Sequence, residues 1–144
     1  MMNSIITFVI SLFVVLVCST PMNSQTDLKA LVKRQATAWE TQDAVTLVSD
    51  FAPDAVFKAG NYTFKGTDAI QKAAEDYFRD FTDTKVKIKR IIIEDRQGAV
   101  EWDWSDRNKK TGKRSAAEDA IIFATQDDGK ITYWREYIEK KEVK

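Results

Sequence analysis

Hydrophobic positions recur along this chain with two periods, and the change from one to the other divides it. After Thr26 or Asp27, either of which suits a helix N-cap, Leu28, Leu31, Val32, Gln35 and Trp39 return at helical spacing. A second, short helix is predicted over Ala44–Phe51 and stops at Ala52-Pro53, because proline disfavours helical geometry in the residue before it. Ala55–Lys58 and Tyr62–Lys65 read as short strands around the turn Ala59-Gly60-Asn61. Thr67 or Asp68 then caps a third helix that runs to about Phe81 and turns Ile70, Ala73, Ala74, Tyr77 and Phe78 inward. Beyond it the period falls to two. Lys85–Glu94, with Val86, Ile88 and Ile92 on one face, and Ala99–Arg107 are strands, and the polar link Asn108–Lys113 leads to a last hairpin, Ser115–Glu139, with its turn at Asp127–Lys130.

That hairpin carries the most informative anomaly. Alternation places Ala117, Asp119, Ile121 and Phe123 on one face of its first strand, and Thr132, Trp134, Glu136 and Ile138 on one face of its second. Two carboxylates thus fall on largely apolar faces, where each needs a hydrogen bond, a partner charge or a proton. Helices followed by a four-strand meander predict an α+β fold: three N-terminal helices packed on a strongly curved, mostly antiparallel sheet, forming a cone with a pocket inside.

The N-terminus changes the picture of where the chain resides. Ile5–Val17 is an uncharged apolar run, shorter than the ~20 residues of a membrane span, and small and polar residues follow it. It reads as a secretory signal, residues 1–24, cleaved after Ser19 or Ser24, ahead of one domain over 25–144 in a secreted or periplasmic protein with no stable membrane span. No Lys or Arg precedes the run, and Val17 is not the small residue that a lipoprotein signal places before Cys18, so lipidation or a retained anchor is the weaker reading.

Composition then removes several chemistries. Lys and Arg number 22 and Asp and Glu 22, so there is no basic excess for a nucleic-acid partner. With no His, and Cys18 as the sole cysteine, Ser-His-Asp and Cys-His mechanisms and His- or thiolate-bound metals are ruled out. No metal site or cofactor is expected, and any catalysis falls to Asp, Glu, Lys, Arg, Tyr or Ser.

The stretches AWETQDAVTLVSDFAPDAVF, FKGTDAIQKAAEDYF, AVEWDW and DDGKITYWREYIE resemble the SnoaL-like branch of the nuclear transport factor 2-like superfamily, over about Asp27–Glu139. The resemblance implies a cone-shaped α+β barrel and a small-molecule pocket, on a fold shared by ketosteroid isomerases, limonene epoxide hydrolases, polyketide cyclases and non-enzymes. It places the isomerases' general base at Ala59 and their first-helix Tyr at Gln35, and keeps only Asp119, matching their protonated oxyanion donor. For the hydrolases it matches Asp103 and Glu136 to the two acids, but puts the Arg at Glu101 and the Tyr and Asn at Phe57 and Ala59. Neither catalytic set is intact.

The face of Ala99–Arg107 that lines the pocket depends on register. Glu101 opposite Asp119 would set two like charges together, whereas Trp102 opposite Asp119 would make an aromatic wall with one acid in it; the second is preferred on burial, and the hydrolase resemblance favours the first. The candidate working groups are therefore Asp119, Glu136 and Asp103, with Gln35, Trp39, Phe57, Tyr62, Trp102, Phe123, Trp134 and Ile138 around the ligand. The tryptophans also suit core or interface positions, and Glu136 could pair with Arg135 or Arg114. The expected function is binding of a small hydrophobic molecule; the alternative is a cofactor-independent isomerase, cyclase or hydrolase. A homodimer is expected through outer-face residues such as Ile91 and Ile93. Lys85, Lys87 and Lys89 suit a solvated strand face, and Asn61-Tyr62-Thr63 is a glycosylation sequon on a turn.

Overall fold

A computed structural model describes residues 24–143; the predicted signal segment, apart from Ser24, lies outside them. Three helices, α1 (Ser24–Thr41), α2 (Ala44–Ser49) and α3 (Thr67–Asp80), interleave with six strands, β1 (Phe51–Ala59), β2 (Tyr62–Lys65), β3 (Phe81–Glu94), β4 (Gln97–Asn108), β5 (Arg114–Thr125) and β6 (Ile131–Lys141). The strands form a single curved, unclosed sheet in the order β2-β1-β6-β5-β4-β3. Among the described residues only the β1–β6 pairing is parallel. The α+β architecture read from the periodicity is the one observed.

The apolar stripe of α1 buries Leu28, Leu31, Val32, Ala36 and Trp39. Glu40 on the same helix accepts from the Val86 backbone N–H at 2.9 Å, tying α1 to β3. α2 is capped by Asp43, whose carboxylate accepts from the Thr46 N–H at 2.9 Å and the Thr46 hydroxyl at 2.6 Å. A polar knot fixes the next corner. The Asp50 carboxylate accepts from Arg34 at 2.8 Å and from Gln35 at 3.0 Å, and its backbone carbonyl receives the Ile131 N–H, so α1, the end of α2 and β6 meet at one residue.

α1 begins at Ser24, so Thr26 and Asp27 lie within its first turn and neither is its N-cap. Three further element boundaries differ from expectation for identifiable reasons. The second helix ends at Ser49 instead of Phe51, and β1 runs through Pro53; the β1–β6 register breaks between Phe51 and Val56, where a missing N–H costs no ladder bond. The third helix is capped by neither Thr67 nor Asp68. Its N-cap is Gly66 at φ 82°, a left-handed conformation suited to glycine, with the Gly66 N–H bonded to the Ala55 carbonyl at 2.8 Å. β3 begins at Phe81 and not Lys85, because Phe81 and Thr82 pair with Asn108 and Arg107 beyond a bulge at Asp83 (φ 53°).

A second bulge, between Ile88 and Arg90, inserts a residue and inverts the alternation beyond it. Ile91 and Ile93 therefore turn toward the core, and Ile92 is left exposed on the outer face. This reverses the expected placement of all three isoleucines. The same bend curves the sheet around the helices.

Candidate ligand cavity

The β4–β5 register places Trp102 directly opposite Asp119, with Asp103 opposite Glu118. The preferred register is thus the observed one, and it puts Trp102, Trp104 and Asp106 on the inner face. Asp103 points to the other side. There it forms, with Glu101 and Glu118, an acidic group around the Lys89 ammonium, at 3.6, 3.4 and 2.7 Å respectively. Asp103 is therefore corrected from a candidate working group to an outer-face charge, because a strand cannot turn residues 102 and 103 to the same side.

Across β5 and β6, Asp119 lies opposite Ile138 and Ile121 opposite Glu136, which makes the two acids diagonal neighbours on the inner face. Both are buried, at 3% and 8% of their full exposure. Each is held from behind by one indole. Trp102 Nε1 donates to Asp119 Oδ2 at 3.1 Å, and Trp134 Nε1 donates to Glu136 Oε1 at 2.9 Å. Neither arginine considered as a partner for Glu136 takes that role: Arg114 pairs with Asp83, and the Arg135 guanidinium stacks over Tyr137 at 4.6 Å.

These surroundings raise both proton affinities. Burial pushes the Asp119 carboxyl from 3.8 to about 6, against the opposing effect of the Trp102 N–H. Burial pushes Glu136 further, from 4.5 to about 8; the Trp134 N–H opposes this and the negative charge of Asp119 adds to it. Burial and mutual repulsion therefore oppose a second negative charge on the pair, and the rise in proton affinity is the greater at Glu136. Asp119 Oδ1 is buried and has no hydrogen-bond partner among the described residues.

The pair faces a cavity of about 1100 Å³ lined by aromatic side chains, among them Trp39, Phe57, Tyr62, Phe64, Tyr77 and Trp104. Of the predicted ligand-facing residues, Trp39, Phe57, Tyr62 and Ile138 line it, together with the candidate working groups Asp119 and Glu136. Trp102, Phe123 and Trp134 are fully buried and stand behind the wall as an aromatic row, with Trp102–Trp134 and Phe123–Trp134 centroids 6.0 and 5.5 Å apart. Gln35 is not at the cavity either. Its amide is taken up by the Leu47 carbonyl at 2.9 Å and by Asp50.

Sequence reasoning missed a second polar group on the same wall. Asp106 Oδ2 accepts from the Tyr77 hydroxyl at 2.6 Å and from Trp104 Nε1 at 3.1 Å, and Oδ1 accepts from the Ser115 hydroxyl. Burial, and then the Asp106 hydrogen bond, raise the Tyr77 phenol well above its usual range. The signal was present: Val100, Trp102, Trp104 and Asp106 alternate, so an inward Trp102 implies an inward Asp106. Among the described residues, no group of three or more His, Cys, Asp or Glu is arranged to hold a metal ion, and no helix is long and apolar enough to cross a membrane.

With this geometry in view, the sequence comparison is decisive: the family model described as SnoaL-like domain matches residues 32–134. The chain belongs to the SnoaL-like family. No curated protein matches it closely enough in sequence to count as a relative. Solved structures agree on the fold. An LEH-like epoxide hydrolase from M. tuberculosis is 20% identical, with a TM-score of 0.69 over 79% of this chain and 84% of that one. A ketosteroid isomerase-like protein from Erwinia carotovora atroseptica is 16% identical, with a TM-score of 0.67 over 81% and 97%. An NTF2-like protein from Burkholderia thailandensis is also 16% identical, with a TM-score of 0.67 over 76% and 88%. Identities this low establish the shared cone. The chemistry of a SnoaL-like chain has to be argued from its own cavity.

Proposed function

We propose that this SnoaL-like protein binds a small, mainly apolar molecule in the cone, anchored through a polar atom at Asp119 and Glu136. The observation that carries the reading is the pair Asp119 and Glu136, two buried acids in the wall of a cavity large enough for a small organic molecule. A neutral hydrophobic dye, N-phenyl-1-naphthylamine, tests it. Saturable enhancement of dye fluorescence, together with quenching of the cavity tryptophans, is expected; a response no greater than that of an unrelated globular protein would defeat the reading.

The separation of the two proton affinities favours a second reading, an isomerase, cyclase or hydrolase working by acid–base chemistry without a cofactor. At neutral pH Asp119 would accept a proton and Glu136 would supply one, the division of roles that a carboxylate pair requires. Incorporation of solvent deuterium next to the carbonyl of an enolisable ketone, lost in Asp119→Asn, would support turnover. Saturable binding with no exchange and no opening of epoxides would leave the protein a binder.

Homodimerisation through the outer face of the sheet is part of the proposal. Ile92, Ile122 and Tyr137 are exposed there around a groove of about 770 Å³, and Arg135 Nε is buried without a partner. A second copy would cover the apolar surface and offer acceptors to Arg135. Sedimentation velocity giving a monomer at micromolar concentration would remove this element. Export by the N-terminal segment is likewise proposed, on the apolar run Ile5–Val17; amino-terminal sequencing of exported protein that begins after Ser19 or Ser24 would support it, and an intact Met1 would not.

A further inference from the structure

We infer that the molecule this cavity is shaped to take is an organic cation, an amine or quaternary ammonium group on an apolar frame, whose charged head lies against Asp119 and Glu136 and the aromatic wall. This rests on the ligand-binding reading above and names the class of ligand.

The distribution of charge and donors carries the inference. Three acids face the cavity interior: Asp106, Asp119 and Glu136. Asp106 is provided for by Tyr77, Trp104 and Ser115. Asp119 and Glu136 receive one indole N–H each, both neutral donors placed behind them, and Asp119 Oδ1 receives nothing. The cations of the cavity stand at its rim. Arg114 and Lys141 are already paired, with Asp83 and with Glu118 and Glu139. Lys113 and Lys140 are exposed to water, where their fields are screened over a distance of ~8 Å. A buried carboxylate keeps most of its field and costs several kcal/mol unless a counter-charge accompanies it. The protein provides that charge at the outer face, where Lys89 serves three acids, and leaves it out of the interior.

The apolar wall points the same way. Trp39, Phe57, Phe64 and Trp104 line the same cavity as the pair, and aromatic rings attract cations, most strongly where water is excluded. A carbonyl ligand would leave the charge of the pair uncompensated. An ammonium head lying in front of the pair compensates it.

A matched pair of probes tests this on the full purified protein. Benzyltrimethylammonium and its neutral carbon isostere, neopentylbenzene, differ in charge while nearly matching in shape, and each is titrated against the bound naphthylamine dye. The cation is expected to bind about tenfold or more tighter than the isostere. Asp119→Asn and Glu136→Gln should each reduce that preference and the double variant should remove most of it, with far-UV circular dichroism as the check on folding. If the dye binds and the isostere displaces it as well as the cation does, the inference is overturned and the cavity reading survives. If the dye itself does not bind, both fall.

Discussion

Replacing Glu136 with glutamine should make the protein more stable at high pH. The carboxyl group is 8% exposed, and burial raises its proton affinity from 4.5 to about 8. The folded chain therefore holds a proton that the unfolded chain releases. This contribution is complete below pH 4.5 and is lost progressively as pH rises through 8, the reverse of a salt-bridged acid. At ~1.4 kcal/mol per pH unit, the ionised side chain costs the native state about 5 kcal/mol, an upper value because water entry relieves part of it. Asp119, which moves from 3.8 to about 6, adds about 3 kcal/mol of the same sign, lost between those values. Glutamine keeps the oxygen that accepts from Trp134 at 2.9 Å and cannot ionise. Urea denaturation followed by tryptophan emission, repeated from pH 5 to pH 9, should show the wild type losing several kcal/mol across the range. Glu136→Gln should fall only below about pH 6 and then level off. Parallel curves for the two proteins would refute the reasoning.

Three further outcomes follow from the packing. Asp103→Asn should leave dye binding unchanged, since Asp103 faces Lys89 on the outer side; a clear loss of affinity in the binding titration would contradict the β4 register. Gly98→Ala should cost about 1–3 kcal/mol in urea denaturation, because a β-carbon there would lie 2.7 Å from both the Ile92 carbonyl and the Phe123 ring. Asp106→Ala should destabilise the fold by about 2–4 kcal/mol, leaving the Tyr77, Trp104 and Ser115 donors without their shared acceptor, and should lower the Tyr77 phenol toward its ordinary range in an ultraviolet titration.

The cone was legible wherever period and turn chemistry agreed. Leu28 to Trp39 kept one helical stripe, and the turn around Gly129 (φ 80°) closed the hairpin at Asp127–Lys130, which set Asp119 and Glu136 on one face. The cost of facing Glu101 with Asp119 also selected the register that occurs. What failed to show was backbone irregularity. The bulge between Ile88 and Arg90 exchanges Ile92 for Ile91 and Ile93, and no residue type announces it. Distinguishing a wall from what stands behind it was a second difficulty. Trp102, Phe123 and Trp134 share the inward face with Asp119 and Glu136, but the sheet curvature buries the rings and leaves the carboxyl groups at the cavity. Gln35 illustrates a third: its place on the helix stripe was readable, while its engagement by Asp50, 15 residues away, was not.

Carboxyl-carbon NMR titration of the aspartates and glutamates, assigned through Asp119→Asn and Glu136→Gln, tests the central claim most directly. Two side chains should titrate far above the rest, Asp119 near 6 and Glu136 near 8, and in Asp119→Asn the Glu136 midpoint should move down because the neighbouring charge is gone. Midpoints near 4 for both, unaffected by either substitution, would mean that the pair is hydrated and independent, and the buried anchor proposed for the ligand would not exist.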